Sequence, residues 1–204
     1  MFMLVRWLIV LLLGAPSLAE AATIMVFGDS LSSAYGLQRD QGWTTLLQQR
    51  LTEKKLDYRI ANASISGETT FSGRNRIDAA LKTHRPSIVI IALGGNDGLR
   101  GLGIDAMRAN LEALVRASRK SGARVLLVGT HMPPNFGPAY TEKFRQTFRA
   151  VAAKERVPLV PFLLEGFSER QDLFQPDGIH PAAPAQALVL ENVWKGLQPL
   201  LKNR

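Results

Sequence analysis

A serine, a histidine and an aspartate form the first combination in this chain that could do covalent chemistry. Ser30 lies in a Gly-Asp-Ser-Leu segment, and His180 follows Asp177 by three residues and precedes a proline. A serine hydroxyl is a weak nucleophile near neutral pH unless a base lies within hydrogen-bond reach. In a turn-like segment, Asp177 can accept the Nδ1 proton of His180 and leave Nε2 free as that base. The spacing therefore predicts a Ser30–His180–Asp177 triad for acyl transfer.

Acyl transfer also needs hydrogen-bond donors for the negative oxygen that develops on the substrate carbonyl. The candidates are the backbone N–H of Ser30, the backbone N–H of Gly67 and the side-chain amide of Asn96. A glycine lets the backbone approach a substrate closely, and an asparagine amide donates a hydrogen bond without adding charge. Each short motif is also typical of an ordinary turn, but together they predict an oxyanion hole of Ser30, Gly67 and Asn96.

The chain has three histidines, so the choice of base has two rivals. His84 comes at the end of a predicted helix, where we expect it to face the terminal carbonyls. His131 follows the predicted fourth strand and could also face the site. His180 is preferred because it has a carboxylate three residues earlier and a following proline that restricts its backbone.

Apolar runs of strand length alternate with segments of helical spacing. The runs are continuous, which indicates strands buried on both faces, as in a parallel sheet covered by helices. This alternation predicts one α/β domain with a doubly wound sheet. The predicted strands are 23–27, 58–63, 87–93, 124–129 and 157–162, and the predicted helices are 43–54, 71–83, 105–120, 141–154 and 183–201.

The candidate chemical residues come just after these strands. Ser30 follows the first strand, Gly67 the second and Asn96 the third, and His180 lies on the approach to the last helix. In open α/β sheets, ligands bind outside the carboxyl ends of the strands, where the strand order reverses. A strand order of 2-1-3-4-5 would therefore bring Gly67 and Asn96 to either side of Ser30.

Residues 1–21 have the pattern of a secretory signal peptide. Arg6 supplies a positive charge, residues 7–13 form an apolar run, and Ala19-Glu20-Ala21 is a small-residue processing site. The run is shorter than the roughly 20 residues that a membrane-spanning helix needs. We expect a mature single domain, 22–204, that is periplasmic or secreted.

The net charge is +8, from 25 Lys and Arg against 17 Asp and Glu, and the chain has no cysteine. Disulfides and thiolate metal sites are therefore excluded. The basic residues are scattered and are not interleaved with aromatic residues as a nucleic-acid stacking platform requires. We expect no nucleic-acid partner, but a basic surface that could be drawn to phospholipid head groups. The sequence does not indicate an oligomeric state.

At these residues the chain resembles the SGNH (GDSL) hydrolases, whose four name-giving residues match Ser30, Gly67, Asn96 and His180. It is most similar to their bacterial periplasmic thioesterase I/lysophospholipase/arylesterase group. The shared motifs are Gly-Asp-Ser-Leu-Ser, Asn-Ala-Ser-Ile-Ser-Gly, Leu-Gly-Gly-Asn-Asp-Gly-Leu-Arg-Gly and Asp-Gly-Ile-His-Pro, and the similarity covers nearly all of 22–204. One difference is Ala34, which stands before Tyr35 where relatives often have a glycine.

The resemblance implies a flavodoxin-like three-layer α/β/α sandwich, no cofactor or metal, and hydrolysis of carboxylic esters and thioesters. Acyl and aryl esters are the implied substrates, with lysophospholipids or a membrane surface as further candidates. The resemblance also supports Asp177 as the third member of the triad.

The apolar segment 132–140 resembles the family's loop after the fourth strand. Two interpretations remain open for it. The loop either forms the wall of an acyl groove or only packs against the domain. The candidate substrate contacts are Met132, Pro133, Phe136 and Tyr140.

Two other function classes compete with a serine esterase. A metal-dependent phosphoesterase could use Asp29, Asp97, Asp177 and His180, although the chain lacks paired histidine-ligand spacing. A non-catalytic flavodoxin-like module could bind anionic surfaces. Chelator-sensitive activity would favour the first class, and failure to react with a fluorophosphonate would favour the second. The larger α/β-hydrolase fold is disfavoured because there is no G-x-S-x-G motif.

Overall fold

The computed structural model describes residues 21–201. The predicted signal peptide, apart from Ala21, lies outside the described residues. Within the described part, no helix is long and apolar enough to cross a bilayer.

Five parallel strands form one sheet in the order β2-β1-β3-β4-β5. This confirms the predicted fold class and strand order. The first strand therefore lies between the second and third, and the order reverses at that point. The strands are β1 (Ala22–Gly28), β2 (Tyr58–Asn62), β3 (Ile88–Ala92), β4 (Arg124–Val128) and β5 (Leu159–Val160).

Helices cover both faces of the sheet and give the three layers. They are α1 (Trp43–Glu53), α2 (Thr70–His84), α3 (Gly95–Leu99), α4 (Ile104–Lys120), α5 (Pro138–Glu155) and α6 (Gln186–Leu197). Alternate β1 side chains enter different cores: Ile24 and Val26 pack with α1 and α6, whereas Met25 and Phe27 pack with α2, α4 and α5. A strand buried on both faces explains the continuous apolar run.

The structure differs from the sequence-based elements in three places. Residues of the Gly-Gly-Asn-Asp-Gly segment form the short helix α3 instead of a turn. The predicted final helix is α6 flanked by 3-10 turns at Ala183–Ala185 and Gln198–Leu200, each of which contains a proline. The predicted fifth strand pairs over two residues only, because Leu159–Val160 is flanked by Pro158 and Pro161, which have no N–H for the sheet.

Candidate active site

Ser30, His180 and Asp177 meet at the carboxyl end of β1. His180 Nε2 lies 2.8 Å from Ser30 Oγ, and His180 Nδ1 lies 2.7 Å from Asp177 Oδ2. The two ring nitrogens therefore contact a hydroxyl on one side and a carboxylate on the other. This geometry can hold the imidazole in the tautomer that accepts a proton from the serine.

The Asp177–His180 segment fixes its own carboxylate. Asp177 Oδ1 accepts the backbone N–H groups of His180 at 3.0 Å and Ile179 at 2.9 Å. These two bonds and the His180 ring stabilise the ionised form, and together they lower the pKa of Asp177 to about 2. Tyr35 packs on the other side of the imidazole, with ring centroids 4.6 Å apart. The His180 ring is therefore held from two directions.

Two backbone N–H groups beside the serine are unpaired within residues 21–201. These are the N–H groups of Ser30 and Gly67, which donate to no described residue. Gly67 has φ of +77°, a left-handed conformation that favours glycine. Unpaired amides at the end of a parallel sheet can bind a negative oxygen.

The Asn96 amide lies at the same end of the sheet, but in this structure its nitrogen already donates to protein. Asn96 Nδ2 is 3.1 Å from the Glu68 carbonyl and 3.3 Å from Asp29 Oδ2. Both amide hydrogens therefore have acceptors, of which Asp29 is the more distant. The first contact also ties α3 to the β2–α2 loop.

Two buried aspartates support these loops. Asp29 accepts the Leu31 N–H at 3.1 Å, and its burial raises its pKa to about 6. Asp97 accepts the backbone N–H of Thr70 at 2.8 Å and the Thr70 hydroxyl at 2.5 Å. The second pair joins α3 to the beginning of α2, so Gly67 and Asn96 are carried by connected segments.

Two arginines that contact these loops had no role assigned from sequence. Arg76 on α2 forms a partly buried ion pair with Glu68 and also donates to the Ala63 carbonyl at 2.7 Å. Arg100 Nη2 donates to the Gly67 carbonyl at 2.8 Å. The four-residue spacing of Asn96 and Arg100, one helical turn, was the sequence signal that could have indicated a shared face.

The other two histidines occupy different surroundings. His131 stacks on Phe162 with ring centroids 3.9 Å apart, and its pKa is lowered by burial and by nearby Arg145. His84 is the last residue of α2, at the opposite end of that helix from Gly67. Within residues 21–201, neither forms a hydrogen bond or ring contact with Ser30.

The loop after β4 is attached to α3 and α5. Met132 is buried in the core beside Gly98 and Phe144. The Tyr140 hydroxyl donates to the Gly98 carbonyl at 3.2 Å, and its ring stacks on Phe136 at 6.0 Å. Pro133 is exposed at the start of the loop. These contacts place the loop next to the helix that carries Asn96.

Most exposed large apolar side chains in the described residues lie on segments that carry or adjoin the candidate site residues. Leu188 on α6 is the exception among seven. The other six lie on segments that carry or adjoin Ser30, Gly67, Asn96 or His180, and they are Tyr35, Ile65, Phe71, Leu99, Leu102 and Ile179. In residues 21–201, no three His, Cys, Asp or Glu side chains are arranged to hold a metal ion.

Residues 26–188 match the GDSL-like lipase/acylhydrolase family. The chain is 51% identical over 183 residues to esterase TesA of Pseudomonas aeruginosa, with 90% of this chain and 91% of the relative covered. It is 36% identical over 185 residues to thioesterase 1/protease 1/lysophospholipase L1 of Escherichia coli, with 91% and 88% covered.

A similar solved structure is the psychrotrophic esterase EstA from a Pseudoalteromonas species, inhibited by monoethylphosphonate. The TM-score is 0.84 at 39% identity, with 89% of this chain and 99% of that chain covered. The family match spans well over half of the sequence, and both the relatives and the strand order agree with it. The chain therefore belongs to the GDSL-like lipase/acylhydrolase family and is a carboxylic ester hydrolase.

Proposed function

We propose that this enzyme hydrolyses esters and thioesters through an acyl-Ser30 intermediate. Ser30 Oγ attacks the carbonyl carbon of the substrate while His180 Nε2 takes the hydroxyl proton. Asp177 stabilises the imidazolium that results, through the 2.7 Å contact to Nδ1. His180 then protonates the departing alcohol or thiol, and the carbon–oxygen or carbon–sulfur bond breaks to leave the acyl-enzyme.

Water completes the reaction by the reverse sequence of proton transfers. The oxygen of water attacks the acyl carbon while His180 takes a proton from this water. His180 then returns a proton to Ser30 Oγ as the carboxylic acid leaves. The products are one acid and one alcohol or thiol, with no oxidation or reduction.

The negative oxygen of each tetrahedral intermediate rests on Ser30 N–H, Gly67 N–H and the Asn96 amide. The first two donors have no protein acceptor in residues 21–201, so they are ready for a substrate oxygen. For Asn96, the hydrogen that faces Asp29 over 3.3 Å is the one that can turn to substrate, because the bond to Glu68 is shorter. This amide helps most when the oxygen becomes negative.

The observation that carries the proposal is the continuous contact from Asp177 through His180 to Ser30, at 2.7 and 2.8 Å. The monoethylphosphonate inhibition of the similar Pseudoalteromonas esterase supports the same serine chemistry. The alternative of a metal-dependent phosphoesterase has less support, because the two buried carboxylates already accept hydrogen bonds from protein. Asp97 accepts from Thr70, and Asp29 accepts from Leu31 and Asn96.

The substrates that fit the surface have an acyl or aryl group. The six exposed apolar side chains on the segments that carry or adjoin the site residues support such a group, because transfer of an acyl chain from water to an apolar surface is favourable. We propose thioesters and lysophospholipids as further substrates because the similar Escherichia coli protein is named a thioesterase and lysophospholipase. We propose the loop of Met132, Pro133, Phe136 and Tyr140 as one wall of the acyl groove, and a lipid surface as a source of substrate.

We also propose that residues 1–21 direct export and are removed, which leaves 22–204 as one periplasmic or secreted domain. The positive Arg6, the apolar run after it and the Ala-x-Ala site support this. N-terminal sequencing of the exported protein tests it, and a mature chain that still begins at Met1 would contradict it.

The function is tested with Ser30→Ala and p-nitrophenyl butyrate. We expect kcat to fall by about ten-thousandfold or more, because within residues 21–201 no other hydroxyl contacts His180 Nε2. The midpoint of thermal unfolding should stay near wild type. Ser121→Ala, at the far end of α4, is the matched control and should keep full activity. Turnover by Ser30→Ala at the wild-type rate would remove Ser30 from its role.

A further inference from the structure

Helix α3 holds the loop that carries Gly67 at two successive carbonyls. Arg100 Nη2 donates to the Gly67 carbonyl at 2.8 Å, and Asn96 Nδ2 donates to the Glu68 carbonyl at 3.1 Å. The two donors are four residues apart, so they lie one above the other on the same helix face. Neighbouring peptide groups of the loop are therefore fixed by neighbouring turns of one helix.

The Gly67 peptide needs such support because a glycine backbone has little steric restraint of its own. Gly67 has φ of +77°, and both of its dihedral angles are soft. On its amino side, Ser66 Oγ lies 2.8 Å from Ser33 Oγ, which ties the loop to the segment after Ser30. On its carboxyl side, the support is the Arg100 guanidinium. A Cβ on Gly67 would lie 3.4 Å from Arg100 Nη2, so the guanidinium lies directly against this residue.

The surroundings of Arg100 separate this contact from an ordinary surface ion pair. Arg100 is exposed at the end of α3, and it takes part in none of the ion pairs formed within residues 21–201. Its guanidinium donates instead to a neutral backbone oxygen, that of Gly67. A charged donor on a carbonyl makes a stronger and more directional bond than a neutral donor does.

We propose that Arg100 is a positioning residue that aims the Gly67 N–H at the oxyanion. The inference rests on the proposed function, in which Gly67 is an oxyanion donor. The hydrogen bond from Arg100 to the Gly67 carbonyl limits rotation about the backbone bonds of Gly67. The contact between Ser66 and Ser33 limits movement of the preceding residue. The N–H is then directed before substrate arrives, so its orientation costs no free energy during the reaction.

The test compares Arg100→Ala with Arg108→Ala, a matched exposed arginine on α4 that pairs with Asp105. Loss of one oxyanion donor typically costs a hundredfold to a thousandfold, so loss of its orientation should cost about tenfold in kcat. KM for p-nitrophenyl butyrate should change by less than about twofold. The rate of phosphonylation by a fluorophosphonate should fall in parallel with kcat, because that reaction also places negative charge in the hole.

Two rescue measurements distinguish positioning from general damage. Arg100→Lys should recover part of kcat, because it keeps a cationic donor on a long side chain. Millimolar guanidinium added to Arg100→Ala should also raise kcat, with no effect on Arg108→Ala. The thermal midpoints of all variants should agree with wild type.

Three results would overturn the inference. They are a wild-type kcat in Arg100→Ala, a loss confined to KM, and a loss of kcat that follows a lower thermal midpoint and resists guanidinium. None of them bears on the nucleophile, because Ser30→Ala is measured separately. Retained turnover in Ser30→Ala would instead remove the proposed function.

Discussion

The two ends of the parallel sheet are built in different ways. At the end where strands begin, four connections repeat one solution: the chain leaves a helix through a residue with positive φ. These residues are Lys55, Arg85, Gly122 and Arg156, which follow α1, α2, α4 and α5. After α1, α4 and α5, an additional hydrogen bond spans five residues, as in a Schellman motif.

At the other end, where strands finish, the connections differ from one another, and those after β1, β2 and β3 contain buried polar side chains. Asp29, Glu68, Asp97 and Thr70 are all buried there. Burying a carboxylate is unfavourable unless hydrogen bonds compensate for the lost water. One end of the sheet therefore only connects helices to strands, whereas the other buries polar groups, at a cost in stability, and holds the candidate active site.

Among the substitutions that probe this difference between the two ends, Asp177→Asn is expected to have the largest effect. Asp177 Oδ1 is held by two backbone N–H groups, and the asparagine oxygen can take the same place. The new amide would then face His180 Nδ1 and donate to it, which stabilises the wrong tautomer. We expect kcat to fall by about ten-thousandfold, as is typical of a triad that has lost its carboxylate, with little change in stability.

The control for that variant is Asp172→Asn, an exposed aspartate that pairs with Arg170 in the same connection. It should keep nearly full activity towards p-nitrophenyl butyrate. If both variants retain wild-type kcat, Asp177 does not orient the base.

A smaller effect is expected from Asp29, whose titration makes the free energy of unfolding depend on pH. Burial raises the pKa of Asp29 from 3.8 to about 6, so the folded state binds its proton more tightly than the unfolded state does. The protonated Asp29 carboxyl therefore stabilises the folded state fully below about pH 4, and this contribution is lost as pH rises through about 6. The shift corresponds to about 2 to 3 kcal/mol.

Asp29→Asn removes this titration and keeps an oxygen acceptor for the Leu31 N–H. Relative to wild type, the variant should therefore gain about 2 kcal/mol in unfolding free energy between pH 4 and pH 7.5. Urea unfolding at both pH values measures it, with Asp78→Asn on the exposed side of α2 as control. An equal difference from wild type at both pH values would show that Asp29 does not titrate in this range.

The smallest effect is expected when a residue with positive φ is replaced by glycine at either end of the sheet. Arg156 at the strand beginnings has φ of +52°, and Ala34 beside the site has φ of +59°. A glycine relieves this backbone strain but raises the entropy of the unfolded chain, so each substitution should stabilise by about 0.5 to 1 kcal/mol. Arg156→Gly should leave kcat unchanged. Chemical denaturation tests both variants, and destabilisation by either would contradict the assignment of strain.

Much of the fold follows from patterns that sequence carries directly. Continuous apolar runs indicate strands buried on both faces, and β1, β3 and β4 form within one or two residues of the predicted bounds. The reversal of strand order then brings the ends of β1, β2 and β3 together. This is why residues as distant as Ser30 and Asn96 could be predicted to share one edge of the sheet.

Features that depend on long-range contacts could not be predicted. Helix α3 has two glycines in five residues, so its local preference is for a turn. It forms where Asp97 is held by Thr70 from α2, a contact 27 residues away in sequence. Arg100 resembles any exposed arginine until the Gly67 carbonyl is found beside it. The Asn96 amide also looked free in sequence, and only the fold reveals its two acceptors.

The most direct test of the central account is covalent labelling of the native enzyme with a fluorophosphonate, followed by peptide mapping. Ser30 Oγ should displace fluoride from phosphorus, so the account predicts one adduct, on the peptide that contains Ser30, with loss of esterase activity in proportion to labelling. An adduct on any other residue that accounts for the lost activity, or full activity after complete labelling of Ser30, would contradict it.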